Sequence, residues 1–282
     1  MAKRIDPIEL MPVSRHARRT RGLLALLTGS IIAFLYIPIV FLVLFSFETS
    51  NTPGLPITGL TTHWYEKAFT DRQIQQAVFN SVIVAAIVAV IASVIGTMAA
   101  FPLVRARLRF ADSTRLLFTM PIMIPGVLLG IGLLLTFRRV LGTELSLVTV
   151  IAGHLVFTTP FVLLIVSARL QGFDRRLEWA AADLGAGPSQ TLRYIVLPLI
   201  SPAIVAGALL SVTLSIDEFV ITFFTVGPQQ TLPLYIYTSI KLGVTPEVNA
   251  VATLILVVTL AVFALGSLLL RGGRRFRRRE AA

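Results

Sequence analysis

The sequence predicts an all-α membrane protein with six transmembrane helices and both termini cytoplasmic, and three observations predict it. Charge is scarce: 14% of the 282 residues are charged and 55% are hydrophobic, where a soluble domain carries about 25% charged residues. The charges are clumped, with long uncharged runs between them. The basic residues fall almost entirely on alternate connections between those runs.

A spanning helix needs about 20 mostly apolar residues, because each residue rises about 1.5 Å through a hydrocarbon core about 30 Å thick. Six runs reach that length: 22–47, 73–104, 116–137, 145–168, 194–216 and 248–270. A seventh uncharged run, 219–240, is broken by Gly227-Pro228-Gln229-Gln230-Thr231 and then Pro233. A helix cannot cross lipid through that break without stranding backbone groups. Its first part is read as the end of span five and the rest as an outside loop. The first run is too long for a signal h-region and lacks a small-residue cleavage site, so it is read as an anchor.

Charge sets the orientation. With both ends cytoplasmic, the inside segments hold 20 of the 25 Lys and Arg residues; only Lys67, Arg72, Arg138, Arg139 and Lys241 lie outside. Cytoplasmic loops are rich in Lys and Arg, so this arrangement is preferred. The run from Arg271 to Arg279 follows a span directly, and is read as a stop-transfer anchor meeting anionic lipid rather than a nucleic-acid site.

In chain order, residues 1–22 form a basic cytoplasmic tail, 23–270 a six-helix transmembrane domain, and 271–282 a second basic tail. Span one, near 23–47, contains Pro38. The outside segment 48–77 carries Trp64-Tyr65, which suit the interfacial belt. Spans two and three cover about 78–103 and 116–137, and span four about 145–168. Span three contains Pro121, Pro125 and a Gly126-Val-Leu-Leu-Gly130 spacing that allows close helix contact. Spans five and six lie near 199–224 and 248–270. His154 lies inside span four, placed to bond a neighbouring helix.

Several chemistries are excluded or unsupported. There is no cysteine, hence no disulfide, thiol nucleophile or Cys-based metal site. The phosphate loop GxxxxGK[ST] is absent, so the chain does not bind ATP that way. No metal constellation appears, and His16, His63 and His154 are scattered.

The stretch between spans four and five, about 169–198, is the most informative. Glu178, Trp179, Ala180, Ala181, Asp183, Leu184, Gly185 and Ala186 lie on a short amphipathic helix that stops at Gly185, Gly187 and Pro188. Such a helix, held between two spans, is a knob facing the cytoplasm, and its alanines offer a smooth face for another protein.

This stretch resembles the EAA loop of binding-protein-dependent ABC importer permeases, which reads Glu-Ala-Ala, three residues, Gly, nine residues, Ile-x-Leu-Pro. Here Ala180-Ala181, Gly185 and Ile195-Val196-Leu197-Pro198 fall at those spacings. The family's glutamate falls on Trp179, with Glu178 just before it. Trp64-Tyr65, Asn80-Ser81, Ser215-Ile-Asp-Glu-Phe219, Gly227-Pro228, Leu232-Pro233-Leu234 and Pro246-Glu247 resemble the spermidine/putrescine branch. The resemblance implies the type I importer permease fold, with residues about 177–188 as a coupling helix seated on a separate ATPase. It implies an ATPase dimer holding ATP and Mg, a second, homologous but non-identical permease chain, an extracytoplasmic substrate-binding protein, and the bacterial inner membrane. No cofactor and no nucleic acid is expected in this chain.

Asp217 and Glu218 are the acids inside a span. They fall in its outer part; a charge near mid-membrane costs about 2.5–3.5 kcal/mol, and such residues usually face a cavity or a partner. Ser211, Ser215, Glu218, Thr222 and Thr225 recur at helical spacing and predict one polar face. With Phe219 they are candidate lining for the path of an organic cation. The alternative is that the acids pair with an arginine on another helix. The resembling branch often carries an acid after the proline of span three, where this chain has Gly126. An ABC permease for another small solute (an opine, amine or amino-acid derivative) therefore stays open. An ion-coupled secondary transporter is the alternative of another class.

Overall fold

The computed structural model describes residues 15–105, 111–243 and 245–261. The helices are α1 (Arg15–Phe45), α2 (His63–Thr70), α3 (Arg72–Arg105), α4 (Ala111–Met123), α5 (Gly126–Val140), α6 (Leu147–Gln171), α7 (Arg176–Asp183), α8 (Pro188–Asp217), α9 (Val220–Thr225), α10 (Leu232–Leu242) and α11 (Pro246–Ala261). Extended pairing among the described residues is limited to one bridge, Glu48 to Leu60.

Four helices are long and apolar enough to cross a membrane: Gly22–Phe45 of α1, α3, α6 and α8. The α4–α5 pair makes a fifth if its two halves are one span. α11 is apolar over its described length; its continuation to residue 270 and the tails 1–14 and 271–282 lie outside the described residues.

Three expectations change. Span three is not one straight helix: α4 and α5 meet at 102°. Pro125 is the cause. It disfavours the α conformation at Ile124 and adopts φ −52, ψ 131, and the helix restarts at Gly126. Span five begins at Pro188 rather than near 199, so most of the second half of the 169–198 stretch is helical. Pro188 suits a first helical position, and the Gln190 side chain accepts the Gly187 N–H at 2.9 Å. A π-helical turn at Leu192–Val196 ends just before Pro198, whose ring has no N–H and crowds the preceding turn. Finally, α8 stops at Asp217, and the presumed outside loop contains α10.

α3, α6 and α8 pack against one another pairwise. Val162 of α6 lies at the junction. A Cβ added to Gly96 of α3 would come within 2.8 Å of it, and one added to Gly207 of α8 within 3.1 Å. The two glycines therefore let three backbones close on one valine side chain, the small-residue packing that lipid-embedded helices use. Ala100, Leu163, Val166 and Ile200 continue that core toward the α7 end, and Ala92 extends it on the other side. At the opposite end Ala68, Ile74, Ala77, Leu232, Tyr235 and Val251 bring α2, α3, α10 and α11 together. α1 differs: none of its apolar stretch is buried within the chain.

Candidate functional site

Two features stand at opposite ends of α8. The first is α7. Its end is a complete glycine turn: the Ala186 N–H bonds the Ala181 carbonyl and the Gly185 N–H bonds the Ala182 carbonyl, both at 2.9 Å. Gly185 has φ +84, a conformation that side chains with a Cβ resist. The spacing that singles out Gly185 in the sequence thus corresponds to a backbone requirement.

The knob keeps Ala180 and Ala182 of the expected alanine face at the surface, beside larger groups. Ala181 is buried and Ala186 half-buried, while Ala180, Asp183 and Gly185 are exposed. The knob's most exposed large apolar groups are Trp179, 61% exposed, and Leu184, 89% exposed, with Leu177 also at the surface. Glu178 turns inward and forms an ion pair with Arg105 at the end of α3. The Arg105 guanidinium carbon lies 5.7 Å from the Phe101 ring centre and 5.1 Å from that of Phe173. A cavity of about 430 Å³ lies beside this pair, lined by Phe101, Ala182, Leu192 and Val196 among others. Arg105 is legible in the sequence only as an orienting charge; its pairing with Glu178 depends on the α3–α7 approach.

The second feature is the interruption after α8. Glu218 leaves helical geometry with ψ 100, and α9 starts two residues later. The Glu218 carboxylate accepts the Ile221 N–H at 2.9 Å, capping the short helix, while Asp217 is exposed at the end of α8. The last carbonyls of a helix carry about half a negative charge. Asp217 adds a full one, so this end of α8 favours a cation. Neither acid belongs to the two ion pairs found among the described residues, Lys67–Glu247 and Arg105–Glu178.

The polar stripe is not one face of one helix, because the break changes the direction of the chain. Ser211, Ser215, Thr222 and Thr225 are each at most 4% exposed and lie inside the chain. His154 of α6 reaches two of them: its Nδ1 is 2.8 Å from Ser215 Oγ and its Nε2 2.8 Å from Thr222 Oγ1. The Thr149 hydroxyl donates to the Thr225 carbonyl at 2.7 Å. α9 also packs into glycine notches. A Cβ on Gly130 would meet Phe224 at 2.6 Å, and one on Gly153 would meet Ile221 at 2.7 Å. The GxxxG spacing therefore serves α5–α9 packing. Phe219 is half-buried and stacks on Tyr237 of α10, with ring centres 4.7 Å apart. Tyr237 joins the neighbourhood of the acids through the fold alone.

Past α10, Lys67 of α2 bonds Glu247 of α11 at 2.6 Å, which holds the Lys67 amine above its ordinary pKa. Glu48 is buried, and its carboxylate accepts the Thr58 hydroxyl at 2.5 Å and the Ser50 and Thr58 N–H groups. The Thr58 hydroxyl bond is the main cause of a lowered Glu48 pKa. The Trp64 indole donates to the Glu48 carbonyl at 2.7 Å, closing the 46–62 segment onto α2.

Relatives of known name share most of the chain. It is 40% identical over 243 residues to the spermidine/putrescine transport system permease protein PotC of Escherichia coli (strain K12), covering 86% of this chain and 91% of that protein. It is 40% identical over 230 residues to the putrescine transport system permease protein PotI of the same strain, covering 79% and 82%. Among solved structures it resembles a chain of a bacterial ABC transporter involved in the import of the acidic polysaccharide alginate. The TM-score is 0.70 at 17% identity, covering 89% of this chain and 96% of that one. A chain of the MetNI methionine ABC transporter in an inward-facing conformation aligns with TM-score 0.61 at 20% identity, covering 71% and 95%. The family described as binding-protein-dependent transport system inner membrane component matches residues 92–279, and the chain belongs to it.

Proposed function

We propose that this chain is the permease subunit of an ATP-driven importer and forms half of a translocation path for a small organic cation, a polyamine such as spermidine or putrescine. The observation that carries this reading is the layout of α8. One end joins an exposed knob, Trp179 with Leu184, and the other ends in an interrupted segment bearing Asp217 and Glu218. Relatives named as polyamine permeases, matched over most of their length, support the substrate class.

In this reading α7 faces the cytoplasm, six spans place both termini there, and the protein resides in the bacterial inner membrane. A dimer of ATPase subunits, which holds ATP and Mg, receives Trp179 and Leu184, with Ala180, Asp183 and Gly185 on the same exposed surface. Glu178, Ala181 and Ala186 shape the knob from within. A second, homologous permease chain completes the path, and an extracytoplasmic binding protein delivers the solute. Discontinuous spans with charged helix ends are the usual place for solute sites in alternating-access carriers. Asp217, Glu218 and Phe219 line the path, and Ser211, Ser215 and Thr222 support it from inside the chain. ATP closure of the partner subunits moves α7, and α8 carries that motion to the acids.

The test is uptake of radiolabelled putrescine and spermidine into proteoliposomes holding the assembled transporter. ATP-dependent uptake whose KM rises in Asp217→Asn supports the reading, and uptake that survives removal of the ATPase subunits refutes it. A second solute class has one observation in its favour: Gly126, where the resembling branch often carries an acid, lies against Val220 beside the break. Competition by monoamines and amino-acid derivatives in the same assay separates the two classes.

A further inference from the structure

His154 is 1% exposed in the middle of α6, yet both of its ring nitrogens are engaged, and they are engaged on opposite sides of the α8–α9 interruption. Ser215 belongs to α8 and Thr222 to α9. The tautomer follows from counting hydroxyl protons. Thr222 Oγ1 lies 2.8 Å from the Glu218 carbonyl, which only accepts, so its proton is committed there. Thr222 must then accept from Nε2–H of His154. A neutral imidazole has one N–H, which leaves Nδ1 as the acceptor of the Ser215 hydroxyl. The result is a directed chain: Ser215 O–H to Nδ1, Nε2–H to Thr222, Thr222 O–H to the carbonyl of Glu218.

That last carbonyl belongs to the residue at the break. A helix interrupted within an apolar bundle needs partners for its freed backbone groups. Here the Glu218 carbonyl accepts the hydroxyl of Thr222 in α9, and that hydroxyl is in turn engaged by His154 of α6. Neighbouring contacts fix the same segment in other ways: Thr149 holds the Thr225 carbonyl and Gly153 admits Ile221. Among the described residues, His154 is the one side chain of α6 hydrogen-bonded to both α8 and α9.

We propose that His154 is a positioning residue that clamps α8 to α9 across the Glu218–Phe219 break and so holds Asp217 and Glu218 in register for the cation. The inference rests on the pathway reading of those two acids. An ordinary satisfied histidine in a helix interface would stabilise the bundle without governing how the acids present themselves. The two roles differ in what they do to apparent substrate affinity.

The assembled transporter in lipid nanodiscs provides the first measurement, hydrogen–deuterium exchange of the backbone over residues 218–226. His154→Leu should speed exchange there about tenfold, a change equivalent to losing one buried hydrogen bond. Thr222→Val, nearly the same shape without the hydroxyl, should do the same. His154→Gln, which keeps donor and acceptor groups, should fall between and covers the case in which the leucine variant fails to assemble. The second measurement is putrescine uptake in proteoliposomes. KM should rise about tenfold in His154→Leu and Thr222→Val. Unchanged exchange in every variant overturns the clamp. Faster exchange with unchanged KM overturns the positioning role, provided Asp217→Asn raises KM in the same assay. If Asp217→Asn also leaves KM unchanged, the pathway reading itself falls and takes the positioning role with it.

Discussion

Arg105, the last residue of α3, is ion-paired with Glu178 of α7, so the knob is tied to the end of a second span as well as to the helices that flank it in sequence. Both side chains are 18% exposed. Removing one partner leaves a mostly buried charge and costs roughly 1–3 kcal/mol of local stability. Glu178→Gln should therefore lower solute-stimulated ATP hydrolysis severalfold while the chain still inserts. The reversed pair, Arg105→Glu with Glu178→Arg, should recover part of it. Stimulated ATPase activity in proteoliposomes is the check, and equal activity in Glu178→Gln and the parent would exclude a role for the pair.

Attachment of the ATPase should depend on the two projecting apolar groups rather than on a carboxylate. Trp179→Ala and Leu184→Ala should each weaken co-purification of the ATPase subunits by about tenfold or more, as expected for anchors worth about 2 kcal/mol. Gly185→Trp should weaken it further, because φ +84 is strained for any residue with a Cβ and the closing turn is lost. Binding of the ATPase to nanodisc-held permease measures all three.

The two acids should not respond alike. Asp217→Asn removes an exposed charge at the end of α8 and should reduce polyamine uptake strongly. Glu218→Gln retains an oxygen able to accept the Ile221 N–H, so α9 stays capped and the loss should be smaller. Comparing initial uptake rates of the two variants decides it, and an effect confined to Glu218→Gln would reverse the assignment.

The 46–62 segment should loosen in acid. The Glu48 carboxyl is held below its ordinary pKa, first by the Thr58 hydroxyl, with burial opposing. A carboxylate with a lowered folded pKa stabilises the fold above the ordinary value of 4.5 and stops doing so as pH falls through the lowered one. Trp64 donates to the Glu48 carbonyl, and the chain has two tryptophans, so Trp179→Phe leaves Trp64 as the sole reporter. Its fluorescence should hold steady above about pH 5 and change below about pH 4. Thr58→Val should move that change to higher pH.

The elements that depend on one-dimensional pattern are readable from the sequence. The apolar runs place α1, α3, α6 and α8, and Gly185 marks the turn that ends α7. What escapes depends on direction in three dimensions. Pro125 is visible as a breaker, but a bend of 102° at that point is not, because proline in a span is compatible with a mild kink as well as a sharp one. The Ser211-to-Thr225 periodicity is real, yet it assumes that one helix runs past Glu218. Once the chain turns there, the Ser215 and Thr222 hydroxyls become internal partners of His154, and the Thr225 carbonyl takes the Thr149 hydroxyl. Glu178 lies beside the position where the family keeps its glutamate, and only the approach of α3 shows that its carboxylate faces Arg105. Pairings such as Lys67–Glu247 and Phe219–Tyr237 join distant parts of the chain and leave no local trace.

Val162, set against Gly96 and Gly207, gives the bundle a fulcrum. Because α3 and α8 close on that one side chain, they resist sliding past α6 and move most easily as a single body. α8 is 30 residues long, about 45 Å at the helical rise per residue. About 28 Å of that length lies between Gly207 and the knob end and about 15 Å between Gly207 and Asp217, so a tilt of about 5° about Val162 moves the knob end by about 2.5 Å and the Asp217 end by about 1.3 Å. The bundle then works as a reducing lever: a swing of the knob arrives about half as large at the acids, and substituting alanine at Gly96 or Gly207 would change its gearing without touching either end.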